Sequence, residues 1–126
     1  MPPDELALTI PEPPSINAMI GYAKAWGQGR KYYAEQQKYR DAMELIVPSP
    51  PAVAWEKYEI VSAHFRLWNW RDPLELLAGL KWPLDLLVNL GWLLDDDRNC
   101  LLGIPLPTQE IKRNARGVDI LIRRVP

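Results

Sequence analysis

From Arg71 to Asp97 the chain reads RDPLELLAGLKWPLDLLVNLGWLLDDD, an apolar helical pattern with isolated charges set into it. The leucine spacing predicts a helix from about Asp72 to Leu90. Asp72 is placed to accept a backbone hydrogen bond as N-cap, Pro73 suits the first helical position, and Glu75 completes a capping-box spacing. Pro83 removes a backbone donor and is expected to bend the helix, with Gly79 four residues earlier easing the clash, and Gly91 ends it. At about 100° per residue, Leu74, Ala78, Lys81 and Asp85 fall on one side, with Lys81 and Asp85 one turn apart.

An apolar helix of this kind needs a partner layer, and the rest of the chain supplies strands. Glu5 to Ile10 reads as an opening strand that the proline-rich Pro11 to Ser15 must end, with a loop following through Asn17. Lys31 to Val47 lacks glycine and proline and carries Tyr39, Ala42, Met43 and Ile46 at helical spacing, which predicts a first long helix stopped by Pro48, Pro50 and Pro51. Trp55 to Trp68 follows as a long strand in which Val61, Ala63, Phe65 and Leu67 alternate with more polar neighbours. Leu101 to Leu106 and Val118 to Val125 read as further strands, with Thr108 to Gly117 a polar, basic connection. The sum is a mixed α+β domain over residues 1–126, with a small sheet of about four strands and two main helices.

Composition narrows the function classes. A single cysteine, Cys100, excludes an internal disulfide and a cysteine-based zinc cluster within one subunit, and favours a reducing location with Cys100 a buried thiol. The first residues have neither a basic start nor a long apolar run, so the expectation is a cytoplasmic protein without a membrane span. A net charge of −1 argues against holding nucleic acid by bulk positive charge, so any polyanion must be held locally. Separate basic clusters allow this: Arg30 with Lys31, Arg66 with Arg71, Lys112 with Arg113 and Arg116, and Arg123 with Arg124. Each of them also reads as a solvated face.

The charges of the leucine-rich segment point to chemistry. Asp72 sits at the helix entry, Lys81 and Asp85 in its middle, and Asp95, Asp96 and Asp97 at its exit. Oxygen-only ligands gathered from these positions suit Mg2+, or Mn2+ in its place. Such an ion binds phosphate oxygens and generates a hydroxide nucleophile, leaving Lys81 to stabilise transition-state charge, which makes phosphodiester hydrolysis the expected reaction. A structural account also stands, with Asp72 and Glu75 as caps, Lys81 and Asp85 as a simple salt bridge, and the triplet as a solvated turn. His64 alternates with apolar residues in a strand and receives no catalytic role.

The order of these motifs resembles the RusA family of Holliday junction resolvases, small dimeric magnesium-dependent endonucleases common in phages and prophages. The resemblance covers nearly the whole chain: the opening strand before Pro13-Pro14-Ser15-Ile16-Asn17, the basic lead into a long helix, then Arg71-Asp72-Pro73-Leu74-Glu75-Leu76, Lys81, Asp85 and Leu94-Asp95-Asp96. It implies Asp72, Asp85 and Asp96 as metal-site acids and Lys81 as the catalytic cation, with Asp95 and Glu75 as further candidate ligands. The family often shows D-x-D-N-L at the helix start. Here Leu74 lacks the second carboxylate and Glu75 replaces the asparagine.

The resemblance further implies a homodimer presenting two sites to a four-way DNA junction, in a bacterial or phage-infected cell. Arg30, Lys31, Arg71, Lys112, Arg113 and Arg116 would follow phosphates, while junction shape directs recognition. Trp26, Trp68 and Trp70, with basic residues nearby, are candidates for base stacking or for core and dimer packing. The alternative to a resolvase is a noncatalytic RusA-fold DNA-binding or phage accessory protein. A third reading is an interaction protein whose leucine-rich helix forms a dimer surface.

Overall fold

The order of elements follows from where prolines and glycines interrupt the apolar runs. The computed structural model describes residues 4–15, 18 and 30–126. Asn17 and Trp26, singled out above, lie outside them. The strands are β1 (Glu5–Ile10), β2 (Tyr58–Leu67), β3 (Leu101–Gly103), β4 (Thr108–Ile111) and β5 (Gly117–Arg124); the helices are α1 (Arg30–Glu44), α2 (Pro73–Gly79) and α3 (Lys81–Asn89). Among the described residues, no helix is long and apolar enough to cross a membrane.

Strand β5 is central and antiparallel to both β1 and β2, so β1 and β2 run parallel to one another with β5 between them. β3 and β4 pair in parallel with β2 at successive positions along its other edge, Tyr58↔Leu101 near its start and His64↔Thr108 near its end. A parallel pair needs a long crossover, and α2 with α3 supplies the one between β2 and β3. One sheet face is apolar: Leu6, Leu8 and Ile10 of β1, Phe65 and Leu67 of β2, and Val118, Ile120 and Ile122 of β5 join the helices' Met43, Leu76, Leu80 and Leu87 in a single core. The other face is polar, with Arg66 on Asp119 and Arg123 between Glu5 and Glu59.

Three sequence expectations change in the fold. The inward alternation of β2 does not include Val61. Ile60 and Ser62 oppose consecutive residues of β5, leaving Val61 as a half-buried bulge that shifts the inward phase from Tyr58 and Ile60 to Ala63, Phe65 and Leu67. The second helix breaks at Leu80, upstream of Pro83, and becomes two. Pro83 has no N–H to give the Gly79 carbonyl, so the chain closes α2 with a Leu80 N–H to Leu77 bond of 3.2 Å and restarts, placing Pro83 in the first turn of α3, where it forfeits little. The connection before β5 contains a fifth strand. β4 is an exposed edge strand with no apolar alternation to read, held by β2 and by the Gln109 side chain, which exchanges two hydrogen bonds with the Arg71 backbone.

Gly117 opens β5 at φ 157°, and a Cβ there would lie 2.9 Å from the Ile10 carbonyl oxygen and 2.8 Å from an Arg66 guanidinium nitrogen. The backbone oxygen belongs to a paired strand and cannot yield cheaply. Gly117→Ala is therefore expected to cost about 1–3 kcal/mol of stability, read as a lower urea midpoint; an unchanged midpoint would show that the strand start relaxes freely.

Candidate functional site

The break at Leu80 makes Lys81 the first residue of α3, with Asp85 one turn later. The Lys81 ammonium lies 3.0 Å from Asp85 Oδ1 and 2.6 Å from Asp96 Oδ2, so one cation bridges two carboxylates carried by different elements. What brings Asp96 there is the loop after α3. The Trp55 N–H donates to the Trp92 carbonyl at 2.8 Å and the Leu94 N–H to the Trp55 carbonyl at 2.9 Å, stapling the loop to the lead-in of β2. The Tyr58 hydroxyl, from the start of β2, then donates to the Asp95 carbonyl at 2.8 Å.

The three aspartates have three different roles. Asp97 Oδ1 accepts the Asn99 and Cys100 N–H groups at 2.9 and 3.1 Å, a side-chain turn that leads into β3. Asp95 Oδ1 accepts the Asp96 N–H at 2.7 Å. Only the Asp96 carboxylate meets Lys81.

Charge states follow from this packing. Hydrogen bonds to Asp96 and then Asp85 push the Lys81 ammonium up to about 12. Lys81 in turn holds the Asp96 carboxyl below its ordinary value. Asp85 goes the other way: partial burial is the largest cause, and the neighbouring Asp96 adds to it against the opposing pull of Lys81. Burial, then the charges of the aspartate loop, also raise the Tyr58 hydroxyl well above its ordinary value, which keeps it a donor to Asp95.

The remaining expected site residues are placed elsewhere. Asp72 caps α2, its Oδ1 accepting the Leu74 N–H at 2.8 Å, and it makes no ion pair with Lys81 among the described residues. Glu75 makes no return hydrogen bond to the Asp72 N–H among the described residues, and its own N–H donates to the Asp72 backbone carbonyl at 2.9 Å, so Asp72 is a simple N-cap and the expected capping box does not form. Glu75 instead lines a hollow with Arg71, Trp68 and Arg116. No group of three or more His, Cys, Asp or Glu side chains arranged to hold a metal ion occurs among the described residues. His64 sits on the polar sheet face between Thr108 at 2.7 Å and Glu110 at 3.0 Å.

The basic candidates also divide. Arg71 is turned inward, donating to Glu12 at 2.6 Å and to the Pro13 carbonyl at 3.2 Å, so it anchors the proline-rich loop. Lys31 pairs with Glu35 at 2.8 Å on α1, and Arg30 is exposed at that helix's start. Arg113 and Arg116 set their guanidinium groups 5.0 and 5.8 Å from the Trp68 ring, forming with exposed Lys112 a basic and aromatic patch at the end of β2. Trp70 is exposed close by in sequence. The sequence reading missed the part played by Tyr58. Its signal was a tyrosine at an inward strand position, which needs a hydroxyl partner when buried. Comparison with protein-family models finds no match, and comparison with curated proteins finds no similar sequence.

Proposed function

We propose that the protein is a Mg2+-dependent endodeoxyribonuclease that resolves four-way DNA junctions by phosphodiester hydrolysis, with Mn2+ as a substitute ion. The observation that carries this reading is the Lys81 ammonium between Asp85 and Asp96. Lys81 is 60% exposed at its side chain, and ion pairs that open to solvent contribute only about 0–1 kcal/mol. Holding two acids together there, one with a raised pKa, gives little stability and is the kind of perturbation found at reaction sites.

Two carboxylates are fewer than a full protein cage, and the donor chemistry supports Mg2+ on that footing. Mg2+ keeps several waters and is commonly held by one or two carboxylates plus substrate phosphate, which Asp85 and Asp96 satisfy with Asp95 adjacent. When bound, the ion supplies a water of lowered pKa and neutralises phosphate charge. Lys81, on a flexible stem, then turns its ammonium to the phosphate and stabilises charge developing on the oxygens. Lys112, Arg113 and Arg116 hold flanking phosphates, with Trp68 beside them. The RusA-like order of motifs supports a homodimer with two such sites, and exposed Leu102, Leu106 and Ile111 on the β3–β4 edge offer apolar surface for pairing.

The test is nicking of a synthetic four-way junction in Mg2+ beside linear duplex, with the mass of the protein in solution measured in parallel. Paired nicks absent from the duplex, lost in Asp85→Asn, are expected from a dimer. A second reading, a noncatalytic DNA-binding protein of the same fold, is favoured by Leu74, which stands 71% exposed where the family motif has a carboxylate. Junction binding without nicks in either ion would select it.

A further inference from the structure

Beside Asp85 a hollow of about 210 Å3 opens between α1 and α3. Tyr33, Gln36 and Arg40 line it from α1 at helical spacing, and Trp82, Asp85 and Asn89 line it from α3. Tyr33 is 69% exposed, yet its ring is held edge-on against Tyr32 at 5.8 Å. Trp82 is 3% exposed and held by its indole N–H donating to the Tyr32 hydroxyl at 3.0 Å, so Tyr33 is the ring open to a ligand. Gln36 is half-buried and Asn89 is exposed, and neither makes a side-chain hydrogen bond to another described residue. Each amide carries two donors and an acceptor, which solvent meets in the free protein and which a ligand in the hollow can take over.

We propose that this hollow receives one unstacked nucleobase next to the phosphate that is cut, an inference resting on the nuclease reading above. Its size is below the roughly 300–1,000 Å3 of sites for drug-sized ligands and suits a single flat ring system. Aromatic rings and amides are the two groups that recognise unpaired bases, by stacking and by hydrogen bonding to base edges. Asp85 belongs both to the hollow and to the Lys81 site, so base and phosphate of one nucleotide step are served by adjoining surfaces. Branch points offer such bases at low cost, because stacking is already interrupted there.

The test measures binding without cleavage, in EDTA, of four-way junctions carrying one abasic site at successive positions around the branch point. For the natural chain, one position is expected to lower affinity roughly tenfold, the size of one lost base–aromatic stack. Tyr33→Ala and Gln36→Ala, which place a good helix former on the outer side of α1, are expected to bind the intact junction more weakly and to lose most of that position's penalty. Equal affinity at every abasic position, a full penalty retained in both variants, or no junction binding at all would each overturn the proposal. Nicking of the intact junction in Mg2+ is read separately. Nicks without base dependence remove the hollow and leave the nuclease, and base dependence without nicks does the reverse.

Discussion

Lys81→Ala is expected to lower the rate of junction nicking by roughly 10²- to 10³-fold while barely moving the urea midpoint. The two halves of this expectation come from the same geometry. The ammonium touches Asp85 and Asp96 at 3.0 and 2.6 Å, but it is mostly in solvent, so its loss removes about 1 kcal/mol or less, and alanine is a better helix former at that position. For the proposed reaction, the same loss takes away the cation assigned to the phosphate. It also removes the interaction that opposes burial at Asp85, so in the ion-free protein that carboxyl rises further. Lys81→Arg keeps the charge but replaces a compact ammonium with a planar fork, and restores the rate only in part. A Lys81→Ala protein that nicks normally yet unfolds several kcal/mol more easily would show the cluster to be a structural ion pair.

How much of this was legible beforehand depends on which force set each feature. β1 was readable to the residue, because alternating Leu6, Leu8 and Ile10 meet a proline stop. The pairing of Lys81 with Asp85 was readable from helical spacing, and the aspartate triplet was rightly placed after the helix. What was not readable is which of three identical side chains faces inward. Asp96 is selected by bonds from outside the triplet, namely Tyr58 on the Asp95 carbonyl and the Trp55 staple, and no local pattern encodes them. The position of Asp72 turned on a choice between two uses of one carboxylate, and here the Leu74 N–H takes it. β4 escaped notice because its strand state comes from backbone pairing, and the bulge at Val61 because a phase shift needs a partner strand to define it. The hollow beside Asp85 lies between helices far apart in sequence, so its polar walls read only as two separate helix faces.

Trp92→Ala is expected to have the largest effect on stability, about 3–5 kcal/mol, and to reach the site as well. The ring is 2% exposed, packs edge to face on Trp55 at 5.4 Å, and donates its indole N–H to the Pro48 carbonyl at 2.8 Å. It thus ties together the end of the α1 connection, the lead-in of β2 and the loop that carries Asp96. Removing it opens a cavity, leaves the Pro48 carbonyl without that donor, and loosens the strand-like contact through which Trp55 holds Leu94. Domains of this size have a total stability of only about 5–15 kcal/mol, so the loss is a large fraction of the whole. Trp92→Phe keeps most of the volume and gives up the hydrogen bond, and is expected to fall well short of the alanine loss. Urea unfolding of both variants separates packing from the bond. Nicking by Trp92→Phe under folding conditions, where the chain remains native, then reports whether the loop still presents Asp96 to Lys81. A rate equal to that of the natural chain, together with an alanine loss under about 1 kcal/mol, would mean that the loop is held by its own backbone and that Trp92 is no part of the site's support.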